Sequence, residues 1–154
     1  MIEETIGNLF EAKAKALVNA VNCVGVMGKG IALQFKQKFP KDYFDAYKLA
    51  CENGVLAIGK VQVYELKNAQ TNPRFIINFP TKGHWREPSR IEDIESGLRS
   101  LVEAVERYEI KSIAMPALGC GLGGLDYDEV KLLVEKAFVN LPNVDVLLFM
   151  PQIK

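Results

Sequence analysis

The sequence predicts an α/β domain, with a largely parallel central sheet covered by helices on both faces. Three observations carry that prediction. Short apolar runs alternate with long amphipathic ones, the pattern of strands feeding crossover helices. The runs at 16–21, 112–115 and 144–150 are predominantly apolar, as in strands buried on both sides. Two glycine-punctuated stretches, 19–31 and 116–125, each lead out of such a run.

The run 16–21 is the first expected strand. Gly28 and Gly30 then open a helix through Ile31, Ala32, Phe35 and Phe39, which Pro40 ends. Residues 41–52 form a second helix with Tyr43, Phe44, Tyr47 and Ala50 on one side and Gly54 past its end. Residues 60–66 alternate with period two, so a strand with one wet face is expected. Residues 68–73 are turn-rich. Residues 74–79 form the next strand, which Pro80 is expected to stop. A polar, basic loop covers 81–89. Ser89 is the expected N-cap of a helix over 90–108, where Ile91, Ile94, Leu98, Leu101, Val102 and Val105 recur at helical spacing. The strand 112–115 leads into the second glycine loop. Asp126 caps a helix through Val130, Leu133, Val134 and Ala137, and 144–150 is the last strand.

A chain of 154 residues holds one domain, expected over 1–154, and is long enough to bury a substantial core. Nineteen basic and nineteen acidic residues cancel, so there is no global footprint for duplex DNA; a local basic strip remains open. Cys23, Cys51 and Cys120 lack CxxC spacing, which argues against a disulfide framework or a zinc site. His84 is the single histidine, which excludes a His-rich metal site. The N-terminus lacks the basic and apolar regions of a signal peptide, and no run approaches the roughly 20 apolar residues of a membrane helix. A soluble, reduced, cytoplasmic protein with no membrane partner, metal or cofactor is expected.

In parallel sheets, ligands sit beyond the carboxyl ends of the strands. Both glycine loops and the loop that carries Lys82 leave strands there, so the three are expected to share one rim. Glycines let a backbone approach a ligand and aim N–H groups at one spot. A helix starting directly afterwards adds its positive end. Each loop is therefore a candidate anion cradle, and two cradles suggest a nucleoside diphosphate. The first is neither a Walker A loop nor a clean Rossmann fingerprint. Asn22 either offers its amide to sugar hydroxyls or caps a turn. Four glycines within 119–124 exceed what a turn needs, whereas Cys120 reads as a small loop residue rather than a nucleophile. Lys82 is either a nucleophile or a solvated loop lysine. His84 is either an acid–base group or a surface imidazole. Trp85 either stacks on a base or anchors its loop. Arg74, Lys82, Arg86 and Arg90 around Trp85 make a basic, aromatic strip opposed mainly by Glu87, which suits a single-stranded nucleic acid or another anion.

These residues together resemble a macrodomain. The marks are Ile6-Gly-Asn-Leu9, Ala16-Leu-Val-Asn-Ala-Val-Asn22 running into Gly28-Lys-Gly-Ile31, Asn78-Phe-Pro-Thr-Lys82, His84-Trp-Arg86, Ser89-Arg-Ile-Glu-Asp-Ile94 and Pro116-Ala-Leu-Gly-Cys-Gly-Leu-Gly-Gly-Leu125. They cover essentially the whole chain. They look most like the DarG antitoxin group and more loosely like the terminal ADP-ribose protein glycohydrolases. The resemblance implies a three-layer α/β/α fold with a mixed, largely parallel sheet. It implies binding of ADP-ribose and its removal from thymidine in single-stranded DNA, reversing a cognate ADP-ribosyltransferase toxin. Carried over by position, the ligand would run along Asn8 and Leu9, then Asn22, Cys23, Val26, Met27, Gly28, Lys29, Gly30 and Ile31. Thr81 would follow, then Pro116, Leu118, Gly119, Cys120, Gly121, Leu122, Gly123 and Gly124. Asn22 would face the distal ribose, and Lys82 would be the catalytic lysine at its anomeric carbon. Trp85 and Arg86 would hold DNA.

The chain departs from the family pattern twice. Gly7-Asn8 stands where macrodomains often have Gly-Asp, and Gly123 stands where the terminal glycohydrolases carry an aspartate. His84 is the substitute partner for Lys82. A protein-directed ADP-ribosyl hydrolase, a non-catalytic ADP-ribose reader and a phosphatase on ADP-ribose-1″-phosphate are the competing readings.

Overall fold

The computed structural model describes residues 1–67 and 70–151. In chain order the elements are β1 (Ile2–Thr5), η1 (Leu9–Glu11), β2 (Ala16–Asn22), α1 (Gly30–Lys38), α2 (Lys41–Glu52), β3 (Gln62–Glu65), β4 (Phe75–Lys82), α3 (Ile91–Arg107), β5 (Ser112–Met115), η2 (Gly121–Gly123), α4 (Tyr127–Ala137) and β6 (Asp145–Phe149). The sheet order is β1-β6-β5-β2-β4-β3. Every pairing is parallel except β3 with β4. The expected mixed, largely parallel sheet is what forms.

Period-two alternation sends neighbouring residues of each inner strand to opposite faces. Ala16, Val18, Ile77, Phe79, Ile113, Met115, Val146 and Leu148 pack with Ile94, Leu98 and Leu101 of α3 and Val130 and Val134 of α4. Leu17, Val21, Ile76, Ala114 and Phe149 pack on the other side with Phe35 of α1 and Tyr43 and Tyr47 of α2. Both faces are dry, which makes the three layers α/β/α and explains why these strands read as apolar runs. No described helix is long and apolar enough to cross a membrane.

Four local expectations change. Pro80 does not stop its strand, because β4 continues to Lys82. The β3 pairing ends at Gln62 opposite Asn78, so beyond that point no β3 acceptor awaits the missing N–H. Ser89 is not the cap of α3; Arg90 holds that position, without a side-chain cap bond. β1 and η1 were not expected. β1 carries two glutamates at the sheet edge, where charge is tolerated, and it forms by pairing with β6. The strand expected over 60–66 is confined to Gln62–Glu65. Of the turn-rich stretch 68–73, residues 68 and 69 lie outside the described residues.

Candidate functional site

β5, β2 and β4 are adjacent and parallel, so their carboxyl ends open on one rim. Backbone bonds tie the three loops together. Cys23 N donates to Gly83 O at 3.0 Å, and Ser89 N donates to Gly123 O at 3.0 Å. A register shift between Val21 and Asn22 skips Thr81 and pairs Asn22 with Lys82. Such bulges re-aim side chains at the ends of strands. Asn22 and the half-buried Lys82 therefore stand side by side where the first glycine loop begins.

The first loop is built around Asn22. Its Nδ2 donates to Val26 O at 2.8 Å, and its Oδ1 accepts from Val24 N at 3.1 Å and Val26 N at 3.4 Å. Tyr47 Oη reaches Asn22 O at 2.8 Å and Oδ1 at 2.9 Å. The amide is thus a turn staple, with one Nδ2 hydrogen uncommitted among the described residues. Below it lies a buried chain of hydrogen bonds. Asn19 Nδ2 donates to Tyr43 Oη at 2.9 Å, Tyr43 Oη to Asn78 Oδ1 at 2.5 Å, and Asn78 Nδ2 to Gln62 Oε1 at 2.9 Å. The two tyrosines were expected only as core. A hydroxyl on an otherwise apolar helix face was the available signal, since a buried Tyr O–H seeks a partner.

Beyond the staple, the loop runs into α1. The helix N-terminus has no side-chain cap and no acid in its first turn. Its amides and positive dipole end are open beside Lys29. Gly25 and Gly30 have φ of +81° and +58°, which explains glycine at each. Gly28 has no such requirement: a Cβ there would make only an ordinary 3.5 Å contact with Val26. Val26 and Lys29 are exposed, and Ile31 is partly so. Met27 is 2% exposed and lies within reach of Asn19, so only its backbone can face a ligand.

The second loop is closed. Pro116 leaves β5, and Leu118 is fully buried. Gly119, Gly121 and Gly124 have positive φ, and Gly123 lies against Ser89, so each glycine has a reason within the chain. Leu122 stands out at 69% exposure. The following helix adds no open end, because Asp126 accepts from Glu129 N and Asp128 and Glu129 fill the first turn of α4. The helix-end contribution expected of both loops exists at the first alone. Burial pushes the Cys120 and Cys23 thiols up to about 11, so neither is a thiolate nucleophile at neutral pH.

The loop after Lys82 carries the remaining candidates. Thr81 is buried, and its hydroxyl donates to Val21 O at 3.4 Å. His84 Nδ1 accepts from Arg86 N at 3.1 Å, which leaves the neutral ring's proton on Nε2. The His84 ring lies 4.7 Å from Trp85, and Arg86 Cζ sits 4.4 Å over the Trp85 ring. Among the described residues, none of Lys29, Lys82 and Arg86 forms an ion pair. Arg74 is not part of this strip. It precedes the start of β4, roughly 25 Å from Lys82 at about 3.3 Å per residue, and pairs with Glu65 at 3.1 Å. Arg90 pairs with Glu92 at 3.8 Å. Asn8 caps η1 by accepting from Phe10 N at 3.0 Å, and Leu9 is buried against the α1 layer.

The macro domain family profile matches residues 18–134. A DNA ADP-ribosyl glycohydrolase of Thermus aquaticus is 50% identical over 151 residues, 98% of this chain and 41% of that protein. The chain therefore spans about two fifths of the length of that relative. The macrodomain of Mycobacterium tuberculosis DarG superposes with a TM-score of 0.94 at 47% identity, covering 99% of both chains. Thermosipho africanus DarTG in complex with ADP-ribose superposes with a TM-score of 0.90 at 36% identity, over 99% of this chain and 43% of that one. This chain belongs to the macro domain family.

Proposed function

We propose that this domain binds ADP-ribose across the rim and hydrolyses it from thymidine in single-stranded DNA. The observation that carries the reading is the register that sets Lys82 beside Asn22, next to a helix N-terminus left uncapped. An open helix end with unpaired Lys29 suits a phosphate. Gly28, which the fold itself does not require, suits close approach of a ligand to the backbone. The similarity to a protein named DNA ADP-ribosyl glycohydrolase, and to a DarTG structure holding ADP-ribose, supports the same substrate.

The bond to be broken joins the anomeric carbon of the distal ribose to a base nitrogen. Water is consumed, ADP-ribose is released and the thymidine is restored within the strand. Lys82 serves the electron-poor anomeric carbon, by attack or by holding the reacting geometry. His84 Nε2–H is the donor available for the leaving nitrogen, because Nδ1 is already an acceptor. The exposed Trp85–Arg86 pair meets the DNA by stacking and phosphate contact. The partner is a DNA ADP-ribosyltransferase, since some enzyme must write the mark that this site removes.

The test is incubation with ADP-ribosylated single-stranded oligonucleotide and, separately, with ADP-ribosylated protein. Release of ADP-ribose from the oligonucleotide is expected. Release from protein alone would make the domain protein-directed. Binding of ADP-ribose with release from neither would make it a reader.

A further inference from the structure

Ser89 joins the loop after β4 to the second glycine loop. Its amide donates to Gly123 O, but its hydroxyl, 7% exposed as a residue, has no hydrogen-bond partner among the described residues. A Cβ built on Gly123 would stand 2.4 Å from Ser89 Oγ and 3.0 Å from Ser89 Cβ. Gly123 has no positive φ, so the serine, not the backbone, demands glycine there. On either side the loop has room: Gly121 and Gly124 have nothing within 4 Å of a built Cβ.

An orphaned buried hydroxyl is a standing cost that alanine would remove without losing the wedge. A peptide group supplies the compensation. Its N–H and C=O point opposite ways, so a loop amide aimed outward at an anion turns its carbonyl inward, toward the side where Ser89 lies. We propose that Ser89 is a positioning residue of the second glycine loop, whose hydroxyl hydrogen-bonds an inward carbonyl of that loop when a diphosphate occupies the rim. The proposal rests on the reading that this loop wraps the diphosphate of ADP-ribose.

The experiment measures ADP-ribose affinity by calorimetry and Tm by thermal melting. Ser89→Ala is expected to keep or raise Tm and to weaken affinity about tenfold, one hydrogen bond's worth. Unchanged affinity overturns the proposal. A lowered Tm overturns it too, since the hydroxyl would then be bonded in the free protein. The wedge has its own test. Gly123→Ala is expected to lose affinity and Tm; combined with Ser89→Gly, Tm is expected to recover largely and affinity to rise only to the level of Ser89→Ala. Simple addition of the two losses overturns the interlock. If wild type fails to bind ADP-ribose, the proposed function falls and this inference with it. If wild type binds and Ser89→Ala is silent, only this inference falls.

Discussion

The two glycine loops look alike in sequence and are built differently. The first is stapled by one asparagine, runs into an uncapped helix and contains Gly28, a glycine that neither φ nor packing requires. The second is locked by its neighbours, with every glycine accounted for and its helix closed by Asp126. A glycine count therefore measures a ligand site poorly. A glycine that the fold does not need says more than several that it does.

Lys82 stands at the strand end beside the first loop, and the largest expected effect falls there. Lys82→Ala is expected to cut release from modified oligonucleotide by orders of magnitude while calorimetry still shows ADP-ribose binding. Lys82→Arg is expected to fail as well, because guanidinium stays protonated. Near-wild-type turnover in Lys82→Ala would reduce this residue to a solvated lysine.

The comparison itself is broken or sharpened by placing a carboxylate in each loop. Gly28→Glu has room and an ordinary φ, so it is expected to fold with unchanged Tm and to lose about a hundredfold in ADP-ribose affinity, through blockage and repulsion at the α1 end. Gly121→Glu is expected to weaken binding without unfolding the protein, but at φ +69° it also carries backbone strain of about 1 kcal/mol or more, so its Tm is expected to fall. If Gly28→Glu binds normally, the open helix end is not the phosphate site.

Trp85→Ala is expected to raise KM for modified oligonucleotide severalfold and to leave free ADP-ribose affinity nearly unchanged. Equal losses in both would make Trp85 an anchor of its loop. Asp126→Ala is expected to lower stability by about 1 kcal/mol through loss of the α4 cap, with affinity unchanged. The smallest effect belongs to Cys120. Cys120→Ala is expected to leave turnover as it was, and alkylation of the wild-type thiol is expected to be slow at pH 8 and to accelerate toward pH 11.

Much of this architecture was legible because its signals are local. The helix over 41–52 was readable to the residue from its amphipathic spacing, its entry after Pro40 and Gly54 beyond its end. Asp126 as a cap needed only the three residues after it. Ser89 was misread for the same reason. A serine before an acidic first turn looks like a cap, and nothing nearby in sequence reports that Gly123 lies against it. Arg74 was grouped with Lys82 on charge and proximity in sequence, although a strand separates them in space.

Sequence alone determined that predominantly apolar runs would form strands buried on both faces, that amphipathic stretches would cover them, and that glycine loops would leave their ends. Burial of nonpolar faces and backbone hydrogen bonding within a few residues suffice for that. The tertiary structure alone decided that Asn22 pairs with Lys82, that Tyr47 holds Asn22, that Pro80 is harmless and that Gly123 must accommodate Ser89. Each depends on strand register or on contacts between residues far apart in the chain. Such contacts form only when the sheet closes, so no local pattern could encode them.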